Sequence, residues 1–363
     1  MTPPRSSNRK RVLVVHTGGT LGMAQPSRTR LDLAPGEHLD RMLTHVPELK
    51  EIAEIELVLP WNLDSSDIGP SHWQSLARII ANRAGLGQPR GQEGCFDGVV
   101  LIHGTDTMAY TASALAFMLR GLDRPVVLTG SQRPLEAWRS DARANLTAAV
   151  ECATMDIPEV LIVFGDSVLR GCRSTKADSN DYQAFEMPSD APLGRIGVDV
   201  EVDWPRVRVP TEGFSLQVDL DPSVVALTIF PGLDPESMAR VLGPDVHERM
   251  RALVVRGFGV GNVPMQGRMN LLPLLHSLTS AGVQVIVSSQ CHRGRTDLGL
   301  YPAGRALLEA GAVEAHDMTL EATVTKAMWA LARRERTLGE WFAVDVAGEV
   351  SLGTGDRRAS ASD

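Results

Sequence analysis

The sequence predicts an α/β fold with two domains. The larger N-terminal domain has a mostly parallel open sheet flanked by helices, and the smaller C-terminal domain is also α/β. Three observations support this prediction. Apolar, β-branched runs such as residues 12–15 lack the alternation of half-exposed strands, which is typical of strands covered on both faces. These runs alternate with helical patterns, as in parallel sheets. A length of 363 residues predicts about two domains.

The elements of the first half alternate along the chain. Strands are predicted at 12–15, 54–59, 97–102, 125–129 and 160–164, with helices at 38–46, 70–80, 109–119 and 141–154. Glycines or polar residues follow each strand. Because the carboxyl ends of parallel strands meet at one edge of a sheet, we expect these polar groups to share one crevice.

A change of pattern marks the domain boundary. Residues 205–222 are short, proline-punctuated stretches of mixed polarity, which we interpret as an interdomain linker. The complete division predicts a disordered tail at 1–10, the domain with the catalytic residues at 11–204, a C-terminal domain at 223–352 and a disordered tail at 353–363. In the C-terminal domain, strands are predicted at 224–230, 252–255 and 283–288, and helices at 269–281, 304–310 and 321–334.

Composition excludes several classes of function. The net charge of −8 argues against nucleic acid as a partner, because binding phosphates requires a basic surface. No apolar run approaches the roughly 18 residues of a membrane span. Only a short apolar run follows the basic N-terminus, too short for a signal peptide, so we predict a cytoplasmic protein. The cysteines Cys95, Cys152, Cys172 and Cys291 have neither metal-site nor disulfide spacing, and we predict no metal.

Lysine is scarce in this chain. There are four lysines against 32 arginines, which suggests that lysine is kept where arginine does not serve. An ammonium can lose its proton when it is desolvated, whereas a guanidinium cannot. Lys10 lies in the predicted tail and Lys50 in a charged helix, so Lys176 and Lys326 are the candidates for a special role. A surface position without function is the alternative for each of them.

The first predicted strand ends in the sequence Thr17-Gly18-Gly19-Thr20. Two glycines allow a sharp turn and a close approach of the backbone to a ligand. A hydroxyl beside free backbone N–H groups suits a nucleophile next to donors that steady a developing oxyanion, which makes Thr20 a candidate nucleophile. A plain connection is the alternative. The spacing matches neither a Walker loop nor a dinucleotide-binding fingerprint.

Three further strand ends carry polar side chains. Asp64, Ser65 and Ser66 follow the second strand, Thr105 and Asp106 the third, and Lys176 the fifth. A threonine nucleophile needs a base, and a buried lysine beside Asp106 would poise Thr105 as a proton relay. The carboxylates and hydroxyls would hold a small zwitterion. Helix N-capping is the alternative for the Asp and Ser residues, and it is compatible with ligand binding at a helix N-terminus.

Taken in order, these motifs resemble those of the bacterial type I, cytoplasmic L-asparaginases. The matching segments are 17–20, 64–67, 103–108, 129–132, 174–176, 259–262 and 321–323. The resemblance implies a large N-terminal and a small C-terminal domain. It also implies hydrolysis of L-asparagine to L-aspartate and ammonia without metal or organic cofactor. The expected assembly is a homodimer or a homotetramer of intimate dimers.

The resemblance also implies roles for individual residues. It assigns the nucleophile to Thr20, the second catalytic group to Thr105, Asp106 and Lys176, and substrate binding to Gly19, Asp64, Ser65 and Ser66 together with Thr105 and Asp106. In allosterically regulated members a second asparagine site would correspond to Arg256, Ser289, Gln290 and Cys291, with Thr175 nearby. Ser289 stands where the family has threonine, so the hydroxyl is kept. A buried apolar role is the alternative for Cys291, and we expect His103 to be structural.

One departure from the family concerns the segment 24–36, which we predict to be a mobile loop. The family places a tyrosine there to polarise the nucleophile, whereas this segment has none and Leu31 stands near that position. The Thr105–Lys176 relay would then act at a reduced rate, another residue would substitute, or the protein would be an amino-acid sensor with weak turnover. A related amidase with glutaminase activity is a further alternative. The amide-donating component of a tRNA amidotransferase is not expected, because that component carries a domain before the first motif.

Overall fold

The computed structural model describes residues 9–22, 35–243 and 245–352. Its backbone contacts divide into two units, Met1–Val218 (unit 1) and Asp219–Asp363 (unit 2). A larger unit with a mostly parallel sheet and a smaller unit with its own parallel sheet confirm the predicted fold class. The predicted tails 1–10 and 353–363 and the loop 24–36 lie outside the described residues, apart from residues 9, 10, 35 and 36.

Unit 1 is built on an eight-stranded sheet. The strands of the whole unit, which include two short pairs outside this sheet, are β1 Arg11–His16, β2 Glu54–Val58, β3 Gly98–Ile102, β4 Leu119–Arg120, β5 Val126–Thr129, β6 Val160–Phe164, β7 Ser167–Arg170, β8 Thr175–Lys176, β9 Phe185–Glu186, β10 Gly194–Ile196, β11 Val200–Val202 and β12 Ser215–Leu216. The main sheet has the order β11-β10-β7-β6-β5-β3-β1-β2. Strands β2, β1, β3, β5 and β6 are parallel, and β7, β10 and β11 extend the sheet antiparallel. The pairs β4–β12 and β8–β9 stand outside it.

Five helices accompany these strands: α1 Pro35–His45, α2 Leu49–Ile52, α3 Pro70–Ala84, α4 Met108–Met118 and α5 Ala142–Ala153. Side chains that alternate along the central strands, such as Val14, Val100 and Val127, share one buried cluster with Leu146 of α5. The central strands β3, β5 and β6 are buried throughout, as predicted for strands covered on both faces. This burial fixes the register of the strands, and therefore the position of the loops that leave their carboxyl ends.

Unit 2 has a four-stranded parallel sheet. Its strands, in both chain and sheet order, are β13 Val224–Thr228, β14 Ala252–Gly257, β15 Gln284–Ser289 and β16 Val313–Glu314. Its helices are α6 Pro235–Leu242, α7 Val246–Arg249, α8 Leu272–Ser280, α9 Pro302–Glu309, α10 Leu320–Leu331 and α11 Leu338–Phe342. The helix predicted from residue 269 begins at Leu272, because Gly267–Met269 form a separate 3₁₀ turn and Pro273 occupies the first turn of α8.

None of the helices in the described ranges has both the length and the apolar character required to cross a bilayer.

Candidate active site

The turn after β1 depends on its two glycines. Gly18 and Gly19 have φ values of +117° and +86°, which side chains with a Cβ rarely adopt. A Cβ on Gly18 would lie 2.2 Å from the carbonyl oxygen of Leu63, and one on Gly19 would lie 2.6 Å from Cα of Gly104. The glycines therefore let this turn contact the loops that follow β2 and β3, and no bulkier residue fits at either position.

Hydrogen bonds join the same three loops. The backbone N–H of Leu63 donates to the Thr17 carbonyl at 2.9 Å, and the Thr17 hydroxyl donates to the Ile102 carbonyl at 3.0 Å. Between the second and third loops, the Thr107 hydroxyl donates to the Ser65 carbonyl at 2.6 Å. The loops at the carboxyl ends of β1, β2 and β3 therefore lie side by side, as the parallel sheet requires.

This arrangement places Thr20 and Thr105 on neighbouring loops. Thr20 begins a 3₁₀ turn, Thr20–Gly22, and is half-buried. It follows Gly19, which packs against Gly104, the residue before Thr105. Each threonine is thus one residue, or about 3.8 Å along the chain, from a point where the two loops touch.

Lys176 joins this edge of the sheet from β8. Its Nζ donates to Thr105 Oγ1 at 2.8 Å and to Asp106 Oδ1 at 2.7 Å. The lysine side chain is 17% exposed and the aspartate side chain is 69% exposed. Helix α4 begins at Met108 with Thr107 at its N-cap, so Asp106 pairs with lysine and does not cap that helix. The structure therefore brings the Thr105 hydroxyl, the Lys176 side-chain nitrogen and the Asp106 carboxylate together as one group.

The Asp64 loop carries a second carboxylate. Asp64 Oδ1 accepts from the backbone N–H of Ser66 at 2.9 Å and from its hydroxyl at 2.7 Å. Asp64 therefore caps the 3₁₀ turn Ser65–Asp67, whereas Gly69 stands at the N-cap of α3. The hydrogen bond from the Ser66 hydroxyl, followed by that from its backbone N–H, lowers the pKa of Asp64 below its ordinary value. The exposed carboxylate thus remains charged and accessible to a ligand.

His103 is a buried residue whose hydrogen bonds hold the loop after β3. Its Nδ1 lies 2.7 Å from the Gly104 carbonyl, which only accepts, so Nδ1 carries the hydrogen. Its Nε2 lies 2.9 Å from the Thr111 hydroxyl, whose oxygen accepts from Trp73 Nε1 at 2.9 Å. Burial lowers the pKa of His103 to about 4, outweighing the bond to Gly104. The neutral ring fixes the backbone before Thr105, which is a structural role.

The loop after β5 contributes a residue, Gln132, for which the sequence predicted no role. Gln132 Oε1 accepts from Thr105 Oγ1 at 3.4 Å, and its Nε2 donates to the Asp181 carbonyl at 3.0 Å. The Asp141 carboxylate accepts from the backbone N–H of Gln132 at 2.9 Å and from Asn145 Nδ2 at 3.0 Å. The position of Gln132 at the end of a parallel strand was a signal that the sequence offered.

Titratable side chains elsewhere in these ranges do not suggest a metal centre. Among the residues that the structure describes, no group of three or more His, Cys, Asp or Glu side chains is placed to hold a metal ion.

In unit 2 the predicted regulatory residues lie at the carboxyl edge of the sheet. Gln290 Nε2 donates to the carbonyls of Ile229 and Arg256, each at 2.7 Å. The Ser289 hydroxyl donates to the Gly259 carbonyl at 2.5 Å and accepts from the Cys291 backbone N–H at 2.9 Å. Cys291 is exposed, so the alternative of a buried apolar role is wrong.

Arg256 and Thr175 differ in what the structure shows of them. Arg256 Nε is buried and has no hydrogen-bond partner among the described residues. A buried donor of this kind is costly unless a ligand or water accepts from it. Thr175 lies in β8 of unit 1, next to Lys176. Unit 2 therefore assembles four of the five predicted regulatory residues.

The class of this protein is defined by its fold and its site. The fold is α/β with two units, and the site gathers hydroxyls, carboxylates and a lysine at the carboxyl edge of the first sheet. Residues 11–208 match the family described as asparaginase, N-terminal, and residues 223–339 match the glutaminase/asparaginase C-terminal domain. The chain belongs to the asparaginase family.

Individual relatives agree with this assignment. The chain is 35% identical to L-asparaginase 1 of Escherichia coli K12 over 336 residues, which covers 90% of this chain and 93% of that relative. The solved structure of L-asparaginase I from Vibrio cholerae matches with a TM-score of 0.82 and 33% identity, covering 95% of this chain and all of that one. One component of the glutamyl-tRNA(Gln) amidotransferase of Pyrococcus horikoshii is 33% identical over 330 residues, which is 88% of this chain and 72% of that relative.

Proposed function

We propose that this protein is an L-asparaginase that converts L-asparagine and water to L-aspartate and ammonia. The observation that carries the proposal is the contact of Lys176 Nζ with both Thr105 and Asp106, beside the glycine turn that presents Thr20. Relatives named L-asparaginase over nine-tenths of the chain support the same activity.

In the first half of the reaction Thr20 is the nucleophile. Its hydroxyl oxygen attacks the side-chain amide carbon of asparagine, and its proton passes through the Thr105 hydroxyl to an unprotonated Lys176. The tetrahedral intermediate then expels ammonia, whose nitrogen takes up that proton by the same route. An aspartyl ester remains on Thr20.

In the second half water replaces the substrate amide. Thr105 and Lys176 accept a proton from the attacking water, and the ester oxygen of Thr20 recovers it as the bond to the acyl group breaks. L-aspartate leaves and the hydroxyl is restored. This scheme balances with the residues of unit 1 alone, and we propose no metal or organic cofactor.

The charges around the site suit a small zwitterion. The Asp64 and Asp106 carboxylates would hold the substrate ammonium, and Asp64 remains charged because its pKa is lowered by its hydrogen bonds with Ser66. The hydroxyls of Ser65 and Ser66 and the backbone of Gly19 would bind the substrate carboxylate. Partners for both charges of an amino acid would therefore lie beside the two threonines, which favours an amino-acid amide as the substrate.

Turnover should be slow, because the tyrosine that polarises the nucleophile elsewhere in the family has no counterpart in 24–36. Losing one positioned proton-transfer group costs about 10²–10⁴ in rate. Tyr182, whose hydroxyl donates to the Arg139 carbonyl at 2.5 Å, is already engaged and does not replace it. Thr105 and Lys176 then provide the activation of Thr20.

A second asparagine site in unit 2 would regulate this activity. Arg256 Nε, buried without a partner in the described part of the chain, would donate to the carboxylate of the bound amino acid. Ser289, Gln290 and Cys291 follow β15 at the same sheet edge, and Thr175 stays a proposed member of the site. We place the enzyme in the cytoplasm as a homodimer or homotetramer that acts on free L-asparagine, without nucleic acid or membrane partners.

Ammonia release from L-asparagine and from L-glutamine tests the proposal, with Thr20→Ala as control. We expect release from asparagine well above that control, with sigmoidal dependence on its concentration that becomes hyperbolic in Arg256→Ala. Binding of asparagine without release would favour the sensor, and faster release from glutamine would favour a glutaminase. A hyperbolic curve in the parent protein would refute the regulatory site.

A further inference from the structure

We propose that Ser288 is a binding residue of the second asparagine site, where its hydroxyl and Arg256 Nε together hold the carboxylate of the bound amino acid. The inference rests on the regulatory part of the proposed function. Ser288 is 3% exposed, and its Oγ, like Arg256 Nε, is buried without a hydrogen-bond partner among the described residues. Buried polar atoms are normally paired, so two such atoms in neighbouring strands indicate a place for a ligand.

The strand register places these two side chains on the same face of the sheet. Strands β14 and β15 are parallel, and Arg256 pairs with Ser288, whereas the next pair is Gly257 with Ser289. Neighbouring strands lie about 4.8 Å apart, and successive residues of a strand point to opposite faces. Arg256 and Ser288 are therefore neighbours on one face, and the side chain of Ser289 leaves from the other.

The face with Arg256 and Ser288 is covered by α10. The opposite face carries Val255 and Val287, which share a buried apolar cluster with α8 and α9, and none of the described members of that cluster belongs to α10. Helix α10 contacts β13 and β14, and it begins shortly after the end of β16. Its N-terminus therefore lies at the carboxyl edge of the sheet, where the positive end of the helix dipole favours an anion.

The residues after β15 that were predicted for this site have no side-chain hydrogen left for a carboxylate. The Ser289 hydroxyl donates its one hydrogen to the Gly259 carbonyl, and Gln290 Nε2 donates both of its hydrogens to backbone carbonyls. A carboxylate only accepts hydrogen bonds, so it needs donors that are not yet engaged. Arg256 Nε and the Ser288 hydroxyl meet this requirement, while Ser289 and Gln290 shape the surrounding backbone.

Binding of L-asparagine to Thr20→Ala, measured by calorimetry, tests the inference without turnover. We expect two molecules per chain. Adding Ser288→Ala should weaken one of them about tenfold, the loss of one hydrogen bond to a charged group, and leave the other unchanged. Arg256→Ala should weaken the same molecule, and in that background Ser288→Ala should cost much less. The matched control is Ser277→Ala at an exposed position of α8, which should bind both molecules as before.

Stability of the unliganded chain separates binding from a structural role. The Ser288 hydroxyl has no partner to lose, so Ser288→Ala should not lower the urea midpoint in the absence of asparagine. A lowered midpoint, or two bound molecules with parental affinity in Ser288→Ala, would overturn the inference alone; in the latter case the two atoms hold water only. One molecule per chain in Thr20→Ala, with a hyperbolic rate curve in the parent, would refute the regulatory site and the inference with it.

Discussion

Each unit of this protein contains a closely hydrogen-bonded lysine–carboxylate pair, and these two pairs have opposite surroundings. In unit 1, Lys176 Nζ meets the carboxylate of Asp106, whose side chain is 69% exposed. In unit 2, Lys326 Nζ meets the carboxylate of Glu349, and both side chains are completely buried. In the first pair, Lys176 Nζ also contacts the Thr105 hydroxyl at 2.8 Å. In the second pair, Lys326 Nζ lies 5.4 Å from the centroid of the Phe342 ring.

The buried pair has no capacity for a ligand. Lys326 also donates to the Val344 carbonyl at 2.8 Å, and Glu349 also accepts from the backbone N–H groups of Val346 and Ala347 at 3.1 and 2.7 Å. Burial would raise the pKa of Glu349, but the Lys326 charge and these hydrogen bonds outweigh it and lower the pKa to about 2. The pair fastens the segment 344–349 to α10. The open pair is therefore accessible to a ligand, as the proposed function requires, whereas the enclosed pair holds two segments of unit 2 together.

The largest effect that would test this comparison is on turnover. We expect Lys176→Arg to lower kcat by about 10²–10⁴, as much as Lys176→Ala, because a guanidinium does not give up its proton. The free energy of unfolding, measured in urea, should change by less than about 1 kcal/mol, because Asp106 is largely exposed and ion pairs with an exposed partner contribute little to stability. Lys50→Arg, at an exposed position of α2, is the matched control and should have parental kcat. Near-parental turnover of Lys176→Arg would refute the relay.

The second prediction concerns the enclosed pair, for which we expect an effect on stability and not on turnover. Lys326→Met should lower the free energy of unfolding of the chain by about 3–5 kcal/mol, because it leaves the Glu349 carboxylate buried without its counter-charge. The protein that remains folded should keep parental KM for asparagine. Urea unfolding followed by tryptophan fluorescence measures the loss, with the exposed Lys50→Met as control.

Combining the change with Glu349→Met should restore only part of the lost stability, because it removes the unpaired buried charge but also the acceptor of the Val346 and Ala347 backbone N–H groups. If Lys326→Met alone proves as stable as the parent, the enclosed pair is not a structural element and the comparison fails.

The sequence predicted the open pair better than the enclosed one. Lys176 was expected near Thr105 as part of the strand end after residue 164, and it does contact Thr105, although it arrives from β8 after β7 has run back antiparallel to β6. Scarcity of lysine also pointed to Lys326, but its partner Glu349 lies 23 residues further on in a segment without helical or strand periodicity. No pattern in the sequence connects the two.

Short strands and the orientations of side-chain amides could not be predicted from the sequence. The antiparallel extension β7, β10 and β11 consists of strands of three or four residues, too short for a hydrophobic period to emerge. The orientation of the Gln132 amide depends on a backbone carbonyl, that of Asp181, and a carbonyl leaves no mark on residue identity. By contrast, the strands of the central sheet were predicted because burial on both faces enforces continuous apolar runs.

A smaller effect concerns a buried group in unit 1 that is titratable but not paired with a charge. The pKa of His103 is lowered from 6.5 to about 4, chiefly by burial. Between these values the unfolded chain binds a proton that the folded chain does not, so stability rises with pH over this range. The contribution of His103 to the free energy of unfolding is complete above about pH 6.5 and is lost as the pH falls to about 4. The shift corresponds to about 3 kcal/mol.

Urea unfolding of the parent and of His103→Asn between pH 4 and pH 7 measures this contribution. We expect a flatter pH dependence in His103→Asn, since asparagine does not titrate, while the exposed His247→Asn keeps the parental slope. The variant should also be less stable at pH 7, because the contact with Thr111 is lost. Equal slopes in the parent and His103→Asn would mean that the ring is charged in the folded protein. In that case Gly104 and Thr105 would rest on an enclosed charge without a counter-charge, unlike the enclosed pair of unit 2.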